Sequence, residues 1–264
     1  MLSPEQCRTL IGRTRYDWEP IATGESPARV LRRSDSGAYA KCVDLADADD
    51  LAAERDRIRW FATTGVPGPR LLDWRESEDG RCVLMTGVPG VTGADLPPAG
   101  RPQALQELAR FLARLHALPV AGCPFDRSLR VMVPKAMDVV SAGRVHPSYL
   151  EPTLRTRPPV ELLSELMLAL PLMERAEQDD LVVCHGDATL PNVLFDPDTL
   201  RCTGVVDLAR LGVADRYADL ALVNAQLTDE WPEVSFRDFA RRYGIGSPDI
   251  SRLVFYQRLD PLTF

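Results

Sequence analysis

A chain of 264 residues, 45% apolar and 26% charged, is long enough for one large domain or two lobes around a sizeable core. Its net charge of −7 and pI of about 5.1 argue against a general nucleic-acid binder, which needs a basic face, and suit a cationic partner, which an acidic cleft concentrates. No stretch approaches the roughly 18 apolar residues of a membrane span, and six scattered cysteines without a Cys-x-x-Cys pair provide neither a disulfide framework nor a metal cluster.

The first residues, Met1 to Cys7, lack the basic and apolar tandem of a secretory signal, so a cytoplasmic location with reduced thiols is expected. Ser3-Pro4-Glu5 fits a helix start, with the helix running to about Ile11. Strands are expected over Tyr16 to Ile21, Arg29 to Arg33 and Ala38 to Val43, with small-residue turns at Gly24 to Ala28 and Ser34 to Gly37. Lys41 lies among apolar residues in the third of these, a costly place unless its ammonium meets anions. Leu51, Ile58 and Phe61 recur at helical spacing. Further strands fit Leu71 to Trp74 and Arg81 to Thr86, and Gly87-Val88-Pro89-Gly90 then breaks the chain, marking a hinge between 1–87 and 88–264.

Leu105, Leu108, Leu112, Leu115 and Leu118 form one apolar stripe, predicting a helix over about 103–117 with His116 as a structural hydrogen-bonding residue near its end. The segment 123–159 is irregular, with a helix near 132–141 and a Pro-rich surface loop. A second amphipathic helix spans about 161–176, where Pro171 is expected to end or kink it.

The most informative stretch follows. Leu181 to Cys184 is an apolar run that delivers His185-Gly186-Asp187 onto a loop. Asn192 comes five residues after Asp187, then a short strand over Val193 to Phe195, a turn, and a return through Cys202 to Val206 that ends on Asp207. Two carboxylates and a carboxamide at loop and strand ends suit phosphoryl transfer from a magnesium nucleotide. One acid, Asp187, handles a hydroxyl proton, and two oxygen ligands, Asn192 and Asp207, hold the metal. Asp219, opening a later helix, is expected to hold the catalytic loop by accepting backbone N–H bonds. The tail contains a helix near 236–243 and the run Leu253 to Phe264.

His-Gly-Asp-x-x-x-x-Asn with a later Asp resembles the catalytic loop of the aminoglycoside phosphotransferase family, and the likeness extends over nearly the whole chain, its closest features being those of the streptomycin 3''-phosphotransferases. The family pattern after the metal Asp is Gly-Arg-x-Gly; here Ala209 takes the first position. The resemblance implies an α+β, two-lobed, protein-kinase-like fold: a small antiparallel sheet with one helix, then a larger, mainly helical lobe. It implies ATP and Mg2+ as cofactors and a cationic aminoglycoside as the partner, with no nucleic acid, membrane or obligate protein partner evident. In that frame Ser26 faces phosphate, Glu54 fixes Lys41 against the phosphates, and Met85, Thr86 and Val88 meet the adenine. Asp229, Glu230, Asp260 and the Phe264 carboxylate become substrate contacts, while Asp126, Asp138 and Glu151 stay unranked. The alternatives are a kinase of another aminoglycoside at a 3'-hydroxyl or of a small hydroxylated metabolite, and a catalytically silent kinase-like module. The last is disfavoured because Lys41, Asp187, Asn192 and Asp207 are all present.

Overall fold

The computed structural model describes residues 2–12, 14–21 and 28–264, so Ser26 lies outside the described residues. The chain forms two compact units: Met1–Val91 with Leu194–Pro197 and Thr203–Ala209, and Thr92–Val193 with Asp198–Cys202 and Arg210–Phe264.

In the first unit, Ser3 caps α1 (Pro4–Ile11) reciprocally. Its hydroxyl accepts from the Gln6 N–H, and the Gln6 side chain accepts from the Ser3 N–H. Strands β1 (Trp18–Ile21), β2 (Arg29–Arg33) and β3 (Ala38–Asp44) precede α2 (Ala48–Phe61), and β4 (Leu71–Glu76) and β5 (Gly80–Thr86) follow it. All five pair antiparallel in the order β1-β2-β3-β5-β4. The alternation of a strand sends Ala38, Ala40 and Cys42 into one core with Cys7, Leu10 and Ile11 of α1. The same period of two puts Lys41 on the opposite face. There α2 packs against the sheet, burying Leu51, Glu54, Ile58 and Phe61.

Two-residue β6 (Val91–Thr92) leads to α3 (Arg101–His116), which buries Leu105, Leu108, Leu112 and Leu115 of the leucine stripe, while Leu118 lies beyond its end and is half-buried. Then come α4 (Leu129–Ser141), α5 (Pro159–Asp179), β7 (Leu181–Cys184), β8 (Val193–Phe195) and β9 (Cys202–Val205). The chain closes with β10 (Gly212–Asp215), α6 (Tyr217–Glu230), α7 (Phe236–Tyr243) and α8 (Ile250–Leu259). In the second unit α3 packs on α7, α6 on α8, and α5 on α4 and α8.

Three features differ from the sequence expectations or add to them. Pro171 does not end its helix: α5 continues to Asp179, because Pro171 and Met167 are both exposed and water can replace the bond that the Met167 carbonyl loses. The four residues Gly212–Asp215 form β10, pairing antiparallel with β7. The tail helix α8 begins at Ile250, where Asp249 caps it by accepting from the Arg252 N–H.

Glu177 of α5 is buried and accepts from the Leu129 N–H at the start of α4 at 2.9 Å. Burial pushes its carboxyl up to about 7, against the pull of that hydrogen bond. A carboxyl raised in the folded state favours folding as the neutral acid. Its contribution is therefore complete below the unfolded value of 4.5 and is lost as pH rises through about 7. Glu177→Gln should remove a pH-dependent loss of roughly 3 kcal/mol between those limits. Melting temperatures at pH 4.5 to 8 provide the check; equal slopes for the two proteins would show that Glu177 does not titrate in this way.

Candidate active site

The β7–β10 pairing fixes the start of the loop that carries Asp187, since Gly212 lies opposite Cys184. Gly186 has φ +80°, and a Cβ there would run into the Arg210 carbonyl, so glycine is required twice over. Asp219, fully buried at the start of α6, accepts the N–H groups of His185 and Gly186, each at 2.7 Å. Its Oδ2 also lies 3.0 Å from His116 Nε2, and His116 Nδ1 lies 2.6 Å from the Tyr243 hydroxyl. Burial pushes the Asp219 carboxyl up, but the His116 contact and the charge and N–H groups around it hold it below the ordinary range. His116, Cys184 and Asp219 lie close enough to suggest metal ligation. Both His116 nitrogens are engaged, however, and the Cys184 thiol faces the Asp215 carbonyl at 3.4 Å, so the cluster is a hydrogen-bonded brace.

On that braced loop the Asp187 N–H donates to His185 Nδ1 at 3.2 Å, which gives His185 a supporting place under the loop. Asn192 Nδ2 donates to the Asp187 carbonyl at 3.1 Å and to its Oδ2 at 2.9 Å. Asp187 Oδ1 lies 4.0 Å from Arg210 Nη1, and a quarter of the Asp187 side chain remains exposed. The result is an accessible carboxylate held in one orientation, the arrangement a proton-accepting group requires.

In the first unit, Lys41 Nζ sits 2.8 Å from Glu54 and 3.4 Å from Asp207. Burial works against the Lys41 ammonium, but the two carboxylates outweigh it and hold it above the usual lysine range. Burial pushes the Glu54 carboxyl up, opposed by Lys41. The signal for Glu54 was visible in the sequence: position 54 falls on the buried stripe between Leu51 and Ile58. Asp207 has φ +59°, a left-handed conformation uncommon outside glycine that Asp tolerates, and its side chain is 39% exposed. Asn192 spends its amide N–H2 on Asp187, so its oxygen is the atom it can offer a cation. That oxygen, like the Asp207 carboxylate in the first unit, is a hard donor of the kind magnesium takes.

The remaining predicted residues are placed as follows. Thr86 exchanges hydrogen bonds with Arg70: its N–H donates to the Arg70 carbonyl and its hydroxyl accepts the Arg70 N–H, both at 2.9 Å. Its N–H is therefore already used within the sheet. Met85 is half-buried and lies opposite Tyr39 and Leu71 in the ladder. Val88 lines a cavity of 310 Å³ with Val66, Pro67, Gly68 and Thr203 among its walls. Asp229 and Glu230 are exposed at the end of α6, some 15 Å along the helix from Asp219 at about 1.5 Å per residue. Asp260 forms an ion pair with Arg210 and lies 3.5 Å from Arg127, so its charge is already matched by two guanidinium groups. Phe264 is 41% exposed and places its ring 4.8 Å from the Arg210 guanidinium.

Arg210, Arg127 and Tyr243 were not singled out from the sequence. Arg210 stood inside the Arg-x-Gly pattern, so a signal existed; Arg127 and Tyr243 carry none, because their partners lie far away in the chain. Burial pulls Arg127 below the usual guanidinium range, against the charges of Asp219 and Asp187.

The sequence matches the phosphotransferase enzyme family over residues 17–256. It is 47% identical over 253 residues to the streptomycin 3''-kinase of Streptomyces griseus, covering 94% of this chain and 93% of that one. It is 39% identical to an aminoglycoside 3'-phosphotransferase of Streptomyces fradiae, over 93% and 94% of the two chains. The structure of the aminoglycoside phosphotransferase APH(3'')-Id of Streptomyces rimosus in complex with ADP and streptomycin aligns with a TM-score of 0.87 at 41% identity, over 94% and 92% of the chains. The likeness in sequence and in fold thus runs along nearly the full length, and the chain belongs to the phosphotransferase enzyme family, among its aminoglycoside phosphotransferases.

Proposed function

We propose that this chain transfers the γ-phosphoryl group of ATP to the 3''-hydroxyl of streptomycin, inactivating the antibiotic. The observation that carries the reading is the end-to-end match, at 47% identity, to a streptomycin 3''-kinase. The APH(3'')-Id complex holds ADP and streptomycin together, which supports the nucleotide and the acceptor alike. No helix among the described residues is long and apolar enough to cross a membrane.

In this mechanism Asp187 orients the acceptor hydroxyl and takes its proton as oxygen attacks the γ-phosphorus and the bond to ADP breaks. Lys41, fixed by Glu54, holds the α- and β-phosphates. Asn192 and Asp207 would hold magnesium, which would supply positive charge to offset that of the phosphate oxygens. Asp219 and His116 touch no reactant; they keep the loop in register so that Asp187 is presented in one geometry.

Purified protein with ATP, magnesium and a panel of acceptors tests the reading: streptomycin, an aminoglycoside offering a 3'-hydroxyl, choline and a simple sugar. Streptomycin should gain one phosphoryl group at the 3''-oxygen, with kcat/KM at least about 100-fold above the rest, since a site built to hydrogen-bond one acceptor rejects others strongly. Preferred turnover of the 3'-hydroxyl compound or of a metabolite would replace the acceptor. ATP binding without turnover of any acceptor would make the chain a silent kinase-like module.

A further inference from the structure

Arg127 is a charged side chain that the mechanism above leaves without a task. Residues 125–127 join the edge of β10: the Val213 N–H donates to the Phe125 carbonyl at 2.7 Å, and the Arg127 N–H donates to the Val213 carbonyl at 2.8 Å. From there the side chain runs past two glycines. A Cβ on Gly212 would stand 3.1 Å from the Arg127 Cβ, and one on Gly186 would stand 2.9 Å from Arg127 Nε. The guanidinium therefore lies against the backbone of the loop that carries Asp187, and the side chain is only 12% exposed. Its Nε–H is buried and has no hydrogen-bond partner among the described residues. Such an orphan costs stability, and an apolar side chain could fill the same space without it, so packing alone does not account for an arginine here.

Its charge does have partners. Arg127 Nη2 lies 3.5 Å from Asp260 Oδ1, the same oxygen that Arg210 Nη2 bonds, and Arg210 Nη1 lies 4.0 Å from Asp187 Oδ1. Charges thus alternate through Arg127, Asp260, Arg210 and Asp187, from the interior to the open side, where the Asp187 side chain is 26% exposed. Asp219 adds a third carboxylate, and its charge and that of Asp187 both act on Arg127. Were Arg127 neutral, three carboxylates would share the guanidinium of Arg210. Asp260, which holds it more closely, would then draw it away from Asp187. A second buried cation shares Asp260 and leaves Arg210 free to face both acids. Burial keeps these interactions from being screened by salt.

We propose that Arg127 is a positioning residue for the transfer reaction: it backs the loop at Gly186 and, through Asp260 and Arg210, sets where the Asp187 carboxylate stands. The inference rests on the reaction proposed above. Its test compares wild type, Arg127→Met and Arg127→Lys with ATP and streptomycin. Turnover is counted per ADP-binding site from calorimetry, so that unfolded protein does not enter. Arg127→Met should lower kcat by about 10- to 100-fold, as a misplaced group does, while KM for ATP and for streptomycin stays within about threefold. Arg127→Lys, which keeps the charge but not the guanidinium fork, should recover kcat to within about fivefold of wild type. A kcat in Arg127→Met within about twofold of wild type overturns the role. So does a raised KM for streptomycin with kcat unmoved, which would make Arg127 an acceptor contact. A lysine variant as slow as the methionine one also overturns it, because the charge would then not matter. If Arg127→Met binds no ADP, Arg127→Gln takes its place under the same criteria, and failure of both to fold makes Arg127 a stability residue and overturns the proposal. Hydrogen exchange keeps the two readings apart. The peptide covering 185–192 should exchange about tenfold faster in Arg127→Met than in wild type, with α3 unchanged. Wild type that phosphorylates no acceptor ends the proposed reaction, and Arg127 is then judged by this exchange, where no difference ends its positioning role. Turnover by wild type with an indifferent Arg127 ends the positioning role alone.

Discussion

Asp187→Asn should lower kcat by about 10² to 10⁴ while leaving ATP binding in place. The carboxamide has the shape of the carboxylate and can still accept from Asn192, so the loop keeps its geometry. Its brace is independent of the substituted side chain, because Asp219 grips the backbone of His185 and Gly186. What disappears is the proton acceptor. Phosphoryl transfer passes through a loose transition state in which little proton transfer need precede bond cleavage, so the loss can lie toward the lower end of that range. Since the side chain is part-exposed, folding stability should change by less than about 1 kcal/mol. Steady-state turnover, with nucleotide binding measured in parallel, separates the two effects. Near-normal kcat in a folded variant would remove Asp187 from its assigned role.

The second large effect concerns Lys41. Its side chain is 10% exposed and that of Glu54 3%, so Lys41→Met strands an acid in a dry pocket. Breaking such a pair by removing one partner costs about 3 to 5 kcal/mol. The same substitution withdraws the cation assigned to the phosphates, and kcat/KM for ATP should fall on the order of 10²- to 10³-fold, as when one transition-state donor is lost. The double substitution Lys41→Met with Glu54→Leu separates stability from function: it should recover most of the stability and none of the ATP use. Thermal melts and ATP kinetics on all variants give the answer. Unaltered ATP kinetics in folded Lys41→Met protein would falsify the phosphate assignment, whatever the melts show.

Much of this site could be read along the chain. His185-Gly186-Asp187, with Asn192 five residues on and Asp207 beyond a hairpin, is a local pattern whose spacing already implies its chemistry. The leucine stripe of α3 and the alternation in β3 likewise report periodicities that a single element imposes. Pro171 does not end α5 because a proline's effect depends on which side of the helix faces water, and one segment cannot reveal that. The strand Gly212–Asp215 was missed because four residues carry too little pattern; it exists because β7 offers it a ladder.

What the sequence determined by itself was the reaction class and the residues proposed to carry it, since those follow from residue types at short, fixed separations. What tertiary structure alone decided was pairing over long separations: Lys41 with Glu54 and Asp207, His116 with Asp219 and Tyr243, and Asp260 with two arginines. The physical reason is that a buried charge must find a partner, and among many acids and bases in a chain only the packing of its elements chooses which one.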